Sequence, residues 1–266
     1  MNYITWAPNP VIFKLGFLEL RWYSLFFVGS FLIGYFIVKK IFIKEGKDAK
    51  ALDDLLIYAL LGAIIGARIV HCIFYEPGYY FKHPLEILYV WKGGLASHGG
   101  LLAVLLVFYL FAKKHKISYM WLLSIMTIPG SIVAASVRFG NFFNSEILGL
   151  PTNSNWGVIF SKIDNTPRHP VQLYEAFSYL LIGLIMYIIY KKATKEFATK
   201  LMPGLFALLL FSVRYFLEFF KTKQATYSLK AMSVGQALSL PLILLGIFWV
   251  IWAIKTTPKD KRWNTI

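Results

Sequence analysis

The chain has 266 residues, of which 58% are hydrophobic, 18% aromatic and only 15% charged, with a formal net charge of +15. Soluble domains carry about 25% charged residues, so an ordinary water-facing surface is excluded, and the class that fits is a membrane protein, whose interfaces favour Trp and Tyr. The basic residues fall in short runs between apolar segments rather than in one stripe, which argues against nucleic acid as a partner and suits membrane topology.

Residues 1–21 are interrupted by polar side chains and by Pro8 and Pro10. They lack the basic start and small-residue cleavage site of a signal peptide and read as an ordered external arm. A bilayer core of about 30 Å needs roughly 20 apolar residues per helix. Seven segments qualify, near residues 22–42, 54–75, 94–112, 120–140, 171–190, 203–220 and 234–254. The expected fold is therefore an all-α integral membrane protein of seven transmembrane helices, in a single domain over residues 1–266. Residues 142–170 form an external loop between the fourth and fifth spans. Gly62 and Gly66 have the spacing of helix packing in the second span. Cys72 is the single cysteine, a buried inert thiol with no disulfide partner in the chain.

Orientation follows from the connections. One side gathers Lys39, Lys40, Lys44, Lys47 and Lys50, then Lys113, Lys114 and Lys116, then Lys191, Lys192, Lys195 and Lys200, and finally Lys255, Lys259, Lys261 and Arg262. The other side holds Lys14, Arg21, Lys82, Lys92, Lys162, Arg168, Lys221, Lys223 and Lys230. The richer side is cytoplasmic, which places the N-terminus outside and the C-terminus in the cytoplasm.

Charge within a span is costly and marks a site by default. The fourth span runs outward, and at about 1.5 Å per residue it carries Arg138 to the outer surface. The sixth places Arg214 and Glu218 on one face of its last turns. The third begins one turn before His98, among Gly93, Gly94, Gly99 and Gly100, and glycines let backbone or substrate approach closely. The fifth opens with Gln172, Tyr174 and Glu175, and the first with Tyr23. These residues meet at the depth of the outer headgroups, where Arg offers a planar fork for phosphate. Taken singly, Arg68 and Arg214 also fit snorkelling side chains, and Glu175 and Glu218 also fit structural ion-pair partners. No metal-ligand spacing and no phosphate loop is present. An alternating path for a transporter would need charge lining the inner halves of the spans, which hold none beyond Lys39, Lys40 and Asp54 at their cytoplasmic ends. A protease would need a Ser/His or paired-aspartate arrangement, and none is convincing here.

The stretch Arg138-Phe139-Gly140-Asn141-Phe142-Phe143-Asn144-Ser145-Glu146-Ile147-Leu148-Gly149 resembles the signature of the bacterial prolipoprotein diacylglyceryl transferases. Further blocks are similar in order: Arg21-Trp22-Tyr23, Gly66-Ala67-Arg68, His98-Gly99-Gly100-Leu101, Arg168-His169-Pro170 through Glu175, Arg214-Tyr215-Phe216-Leu217-Glu218, and Ser233-Val234-Gly235-Gln236. The resemblance implies an enzyme of the bacterial cytoplasmic (inner) membrane with its active site facing the outer leaflet. It would move diacylglycerol from phosphatidylglycerol to the lipobox cysteine of a prolipoprotein, forming a thioether and releasing glycerol phosphate, without a cofactor or a metal. By position, the functional residues fall on Tyr23, His98, Arg138, Asn141, Glu146, Gly149, Arg214 and Glu218. His98, Arg138, Arg214 and Tyr23 are the expected catalytic set. Asn141, Glu146, Gly149, Glu218, Gly99 and Gly100 are the expected substrate-binding set. His98 is the chemical candidate for the base and otherwise positions the headgroup. Lys221 stands where many relatives have arginine, which puts an ammonium in place of a guanidinium fork among the charges at the outer end of the sixth span.

Overall fold

The computed structural model describes residues 3–16, 18–154, 156–222 and 232–264; Lys223 and Lys230, expected among the outer basic residues, lie outside them. Among the described residues, six helices are long and apolar enough to cross a membrane: α1 (Trp22–Lys44), α2 (Ala51–Phe74), α5 (Tyr119–Phe143), α6 (Val171–Lys192), α7 (Lys195–Leu217, with a 3-10 turn to Phe220) and α8 (Val234–Thr256). Where the third span is expected stands α4 (Ser97–Lys114), a helix of 18 residues; the short α3 (Pro77–Tyr80) precedes it. The chain forms two compact units, residues 1–38 with 124–266 and residues 39–123, and passes between them within α1 and within α5.

The helix ends follow local chemistry. Asp53 and Asp54 occupy the first turn of α2, and Lys113 with Lys114 and Lys191 with Lys192 the last turns of α4 and α6, each suiting the helix dipole. The sixth span departs from its expected start at residue 203. Thr194 caps α7, its side chain accepting from the Phe197 N–H, and the helix runs eight residues before Pro203. Proline in a helix interior costs about 3 kcal/mol in water, but membrane helices tolerate it, and α5 and α8 also contain one, Pro129 and Pro241. Ser233 and Gln236 form a reciprocal capping box at the start of α8, which satisfies two of the orphan donors of that end.

The all-α expectation is corrected outside the helices. Strands β1 (Ile4–Trp6), β2 (Val11–Leu15), β3 (Leu18–Arg21), β4 (Val158–Phe160) and β5 (Pro167–Arg168) occupy the arm and the loop. β1 pairs parallel to β4, β4 antiparallel to β5, and β2 with β3 makes a hairpin. These backbones lack a helical ladder and must find partners elsewhere. In the first unit the sheet packs on the end of α5: Phe142, Val158 and Phe160 are buried, with Trp6 against them. The Trp6 Nε1 donates to the Phe142 carbonyl at 3.0 Å. α7 and α8 also touch closely, since a Cβ on Gly204 would lie 2.6 Å from the Trp249 side chain and one on Gly246 2.7 Å from the Leu208 nitrogen.

In the second unit α2 and α4 lie backbone to backbone. A Cβ on Gly66 would come within 2.4 Å of the Ala103 Cβ, and one on Gly99 within 2.3 Å of the Gly66 carbonyl. The packing reading of Gly62 and Gly66 therefore holds. Cys72 is buried and free.

Gly66→Val should force α2 and α4 apart and lower the thermal midpoint of the detergent-purified protein, since overpacking costs about 1–3 kcal/mol. Gly29→Val, at a glycine with nothing within 4 Å of its missing side chain, should leave the midpoint nearly unchanged. Equal midpoints for the two variants would contradict the packing.

Candidate functional site

In the first unit, α5 and the starts or ends of α1, α6, α7 and α8 supply one polar cluster. Its centre is Glu175, one turn into α6, with no exposure to solvent. Oε1 accepts from the Lys221 Nζ at 2.9 Å and from the Tyr179 hydroxyl at 3.2 Å. Oε2 lies 3.0 Å from Arg138 Nε, without the alignment of a hydrogen bond, so that attraction is mainly Coulombic. Lys221 is itself buried and 3.2 Å from Glu218, whose other oxygen accepts from the Ser233 hydroxyl at 3.0 Å. A Cβ on Gly235 would meet the Glu218 carboxylate at 2.6 Å, so that glycine makes room for it.

Arg138 is oriented on a second side. Its Nη1 donates to Asn141 Oδ1 at 3.0 Å, and Asn141 Nδ2 donates to Glu146 at 3.0 Å. Glu146 thus reaches Arg138 through Asn141. The chain folds back to allow this where α5 ends, with Ser145 and Ile147 in the left-handed region at φ 54° and 55°. That conformation is uncommon for any residue with a side chain and unfavourable for a branched one, and neighbours hold it. Asn144 Nδ2 donates to the Glu146 carboxylate at 3.1 Å, and Gln172 Nε2 to the Glu146 carbonyl at 2.7 Å. Tyr23 packs its ring on Gly140, where a Cβ would come within 2.4 Å.

A short ribbon closes one side of the cluster. The Leu150 N–H donates to Phe220 at 2.7 Å, and the Thr222 N–H and hydroxyl both donate to Leu148, at 3.0 and 2.9 Å. Arg168 donates to the Gly149 carbonyl at 3.1 Å and pairs with Asp164 at 2.5 Å, which holds the Asp164 carboxyl below its usual range. Gly149, expected to bind substrate, sits where a Cβ would lie 2.1 Å from the His169 carbonyl; close backbone passage accounts for its lack of a side chain.

Arg214 is the exception in this cluster. It is half-buried, its charge reaches the Tyr179 hydroxyl, and no carboxylate pairs with it among the described residues, whereas Arg138 and Lys221 each have one. A guanidinium in such a setting has the geometry to take a phosphate or carboxylate through two parallel hydrogen bonds.

The structure thus brings together Tyr23, Arg138, Asn141, Glu146, Gly149, Arg214 and Glu218 within the first unit. His98, Gly99 and Gly100 belong to the second. His98 is exposed on the first turn of α4, and the two glycines turn the side that would carry Cβ toward α2, so helix packing accounts for both. Arg68 neither snorkels nor faces outward. It is buried, and its Nε, Nη1 and Nη2 donate to the carbonyls of Ile87, Gly93, Gly94 and Glu86 at 2.6–3.2 Å. Tyr179 escapes the sequence reading, although its i, i+4 spacing from Glu175 was a usable signal. Among the described residues no three His, Cys, Asp or Glu side chains come close enough to hold a metal ion.

Comparison with known proteins is consistent across most of the length. The family model described as prolipoprotein diacylglyceryl transferase matches residues 10–252. A phosphatidylglycerol–prolipoprotein diacylglyceryl transferase of Tolumonas auensis is 43% identical, over 94% of this chain and 97% of the relative. Those of Chloroherpeton thalassium and Nitrosomonas europaea are 42% and 36% identical, over 98% and 96% of this chain and 98% and 93% of the relatives.

Removing one partner of a buried ion pair leaves an uncompensated charge and costs about 3–5 kcal/mol. Glu175→Gln, which leaves both Arg138 and Lys221 without their shared anion, should lower the thermal midpoint more than Glu218→Gln, whose carboxylate is less buried. Thermal unfolding in detergent checks the order; a larger loss for Glu218→Gln would overturn the central place given to Glu175.

Proposed function

Because the chain belongs to the prolipoprotein diacylglyceryl transferase family, we propose that its cluster of arginines and carboxylates is where a diacylglyceryl group passes from phosphatidylglycerol to the lipobox cysteine of a prolipoprotein. The observation that carries the assignment is Arg214, a half-buried guanidinium with no carboxylate partner among the described residues, beside two cations that have theirs.

The surrounding topology is part of the same reading. α4 is the seventh span, since 18 residues at about 1.5 Å each give about 27 Å. The lysine-rich connections after α1, α4, α6 and α8 face the cytoplasm. The ends of α5 and α7 and the starts of α1, α6 and α8 then face the outer leaflet of the cytoplasmic membrane, where phosphatidylglycerol and an exported precursor both arrive.

In the transfer, the cysteine sulfur attacks a glycerol carbon, a carbon–sulfur bond forms, and the carbon–oxygen bond to phosphate breaks. Glycerol phosphate leaves with the bonding pair. Thiolate is the nucleophile, so the thiol must lose its proton to a base. His98, exposed on the first turn of α4, has the chemistry to accept it near neutral pH. The negative charge grows on the departing phosphate, and fixed positive groups stabilise it without reorganising. Arg214 takes that phosphate, while Arg138, held by Glu175 and Asn141, presents a second cation in a fixed direction. Tyr23 and Asn141 contribute neutral hydrogen bonds, and Glu146 and Glu218 hold their neighbours in register. The donor is the lipid itself, so neither cofactor nor metal takes part.

Mass spectrometry of a lipobox peptide incubated with purified protein and phosphatidylglycerol tests the reading. The cysteine should gain one diacylglyceryl group, and only when the lipid is present. Arg214→Ala should fold with the parent's thermal midpoint and lose turnover by about 10²–10³-fold, the scale of a lost transition-state donor. A folded Arg214→Ala protein with full turnover would sink the assignment of that residue.

A further inference from the structure

A second polar feature lies in the other unit and plays no part in the transfer described above. Between α2 and α4 runs an open groove of about 380 Å³, within the range of ligand sites, about 300–1,000 Å³. Leu61, Gly62 and Ile65 line it from α2, and Val107, Leu110 and Phe111 from α4. The two helices meet closely there, since a Cβ on Gly62 would come within 2.9 Å of the Val107 side chain. The small-residue face of α2 is therefore already used by α4, and the groove beside it remains open, with Leu61, Ile65 and Leu110 each about half exposed.

One end of the groove is polar. Tyr58 and Lys114 line it, and the Lys114 ammonium lies 6.0 Å from the Tyr58 ring. The lysine reaches Asp54 only at 3.7 Å, with both side chains at least half exposed, and its ammonium makes no hydrogen bond among the described residues. The Tyr58 hydroxyl makes no hydrogen bond among the described residues. Two donors thus stand at the mouth of an apolar channel, with the exposed Lys113 adjoining.

We propose that this groove binds an anionic phospholipid, one acyl chain along the channel and the phosphate between Lys114 and the Tyr58 hydroxyl. Length selects this occupant over a transmembrane helix of a partner. The lining extends from Tyr58 to Ile65 on α2 and from Val107 to Lys114 on α4, seven steps or about 10 Å of helix, which lies within one half of a bilayer core of about 30 Å. A spanning helix needs the full thickness; one lipid tail needs half. Charge selects an anionic headgroup over a zwitterionic one, because basic groups beside a span attract acidic lipids. In the topology proposed above the groove opens to the inner leaflet, so its lipid is not the donor consumed at the outer end of α7. The groove would hold its lipid as a fixed part of the membrane unit.

The test uses two photoactivatable lipids with the same diazirine-bearing acyl chain, one a phosphatidic acid and one a phosphatidylcholine, in nanodiscs containing the full chain. Crosslinked residues are read by mass spectrometry. The phosphatidic acid should label Leu61, Ile65, Val107 and Leu110 about fivefold more than the phosphatidylcholine. Lys114→Glu, at an exposed position, should bring the two to equal labelling. Ile65→Trp should block the channel and remove both. Both variants should still lipidate the lipobox peptide at the parental rate, because neither residue belongs to the transfer cluster. Equal labelling by the two lipids in the parent, or a Lys114→Glu protein that keeps the preference, would overturn the proposal. A labelled groove in a protein that fails to lipidate the peptide would instead count against the transfer reading and leave the groove standing.

Discussion

The polar cluster of the first unit is organised by one carboxylate that water does not reach. Glu175 sits at zero exposure with two cations and a phenol around it. Desolvating it is unfavourable by several kcal/mol unless it is well compensated, so the groups that compensate it are not free to wander. Arg138 comes from α5, Lys221 from the segment after α7, and Tyr179 from the next turn of α6. The three elements are held at a common point because each donates to, or neutralises, the same two oxygens. Shape and charge are coupled here: displacing any one element would strand a buried charge.

That constraint explains an imbalance with chemical consequences. Glu175, Glu218 and Glu146 are three acids, and Arg138, Lys221 and Arg214 three bases, yet the acids are spent on two of the bases and on amides. Glu175 takes both Arg138 and Lys221, Glu218 turns to Lys221 and Ser233, and Glu146 binds the amides of Asn141 and Asn144. Arg214 is what remains. The backbone is bent to the same end, with Ser145 and Ile147 held at positive φ so that Glu146 faces back to Asn141. Such conformations cost about 1–3 kcal/mol each and persist only where their surroundings over-determine them.

The sequence was informative about what repeats along a helix and silent about what does not. Apolar segments near the right length marked the helices, and intramembrane charge marked Arg138, Arg214 and Glu218. The start of α7 was missed because Pro203 reads as a boundary in water, whereas the Thr194 cap sets the helix going earlier. The strands of the arm and loop were missed because they are two to five residues long, too short for alternation to register. Arg68 looked like its fellow arginines, and only the positions of four carbonyls show that it serves the backbone. Gly149 was singled out as special, but sequence offers no way to tell a glycine that admits a substrate from one that admits the His169 carbonyl. Lys221 was noticed only as a departure from arginine; its burial against Glu175 depends on a contact 46 residues distant.

Arg68 also bears on the order in which the chain can be built. Ribosomes release α2 before the loop whose carbonyls this guanidinium needs, and the last of those carbonyls follows 26 residues later. During that interval the helix carries an unsatisfied charge, worth about 2.5–3.5 kcal/mol against insertion at a helix centre. A lone α2 is therefore a poor passenger for the bilayer, and it gains full stability only once the loop and α4 have been made. The two helices should enter as a hairpin, with the arginine acting as a latch that sets only when the second arm is in place.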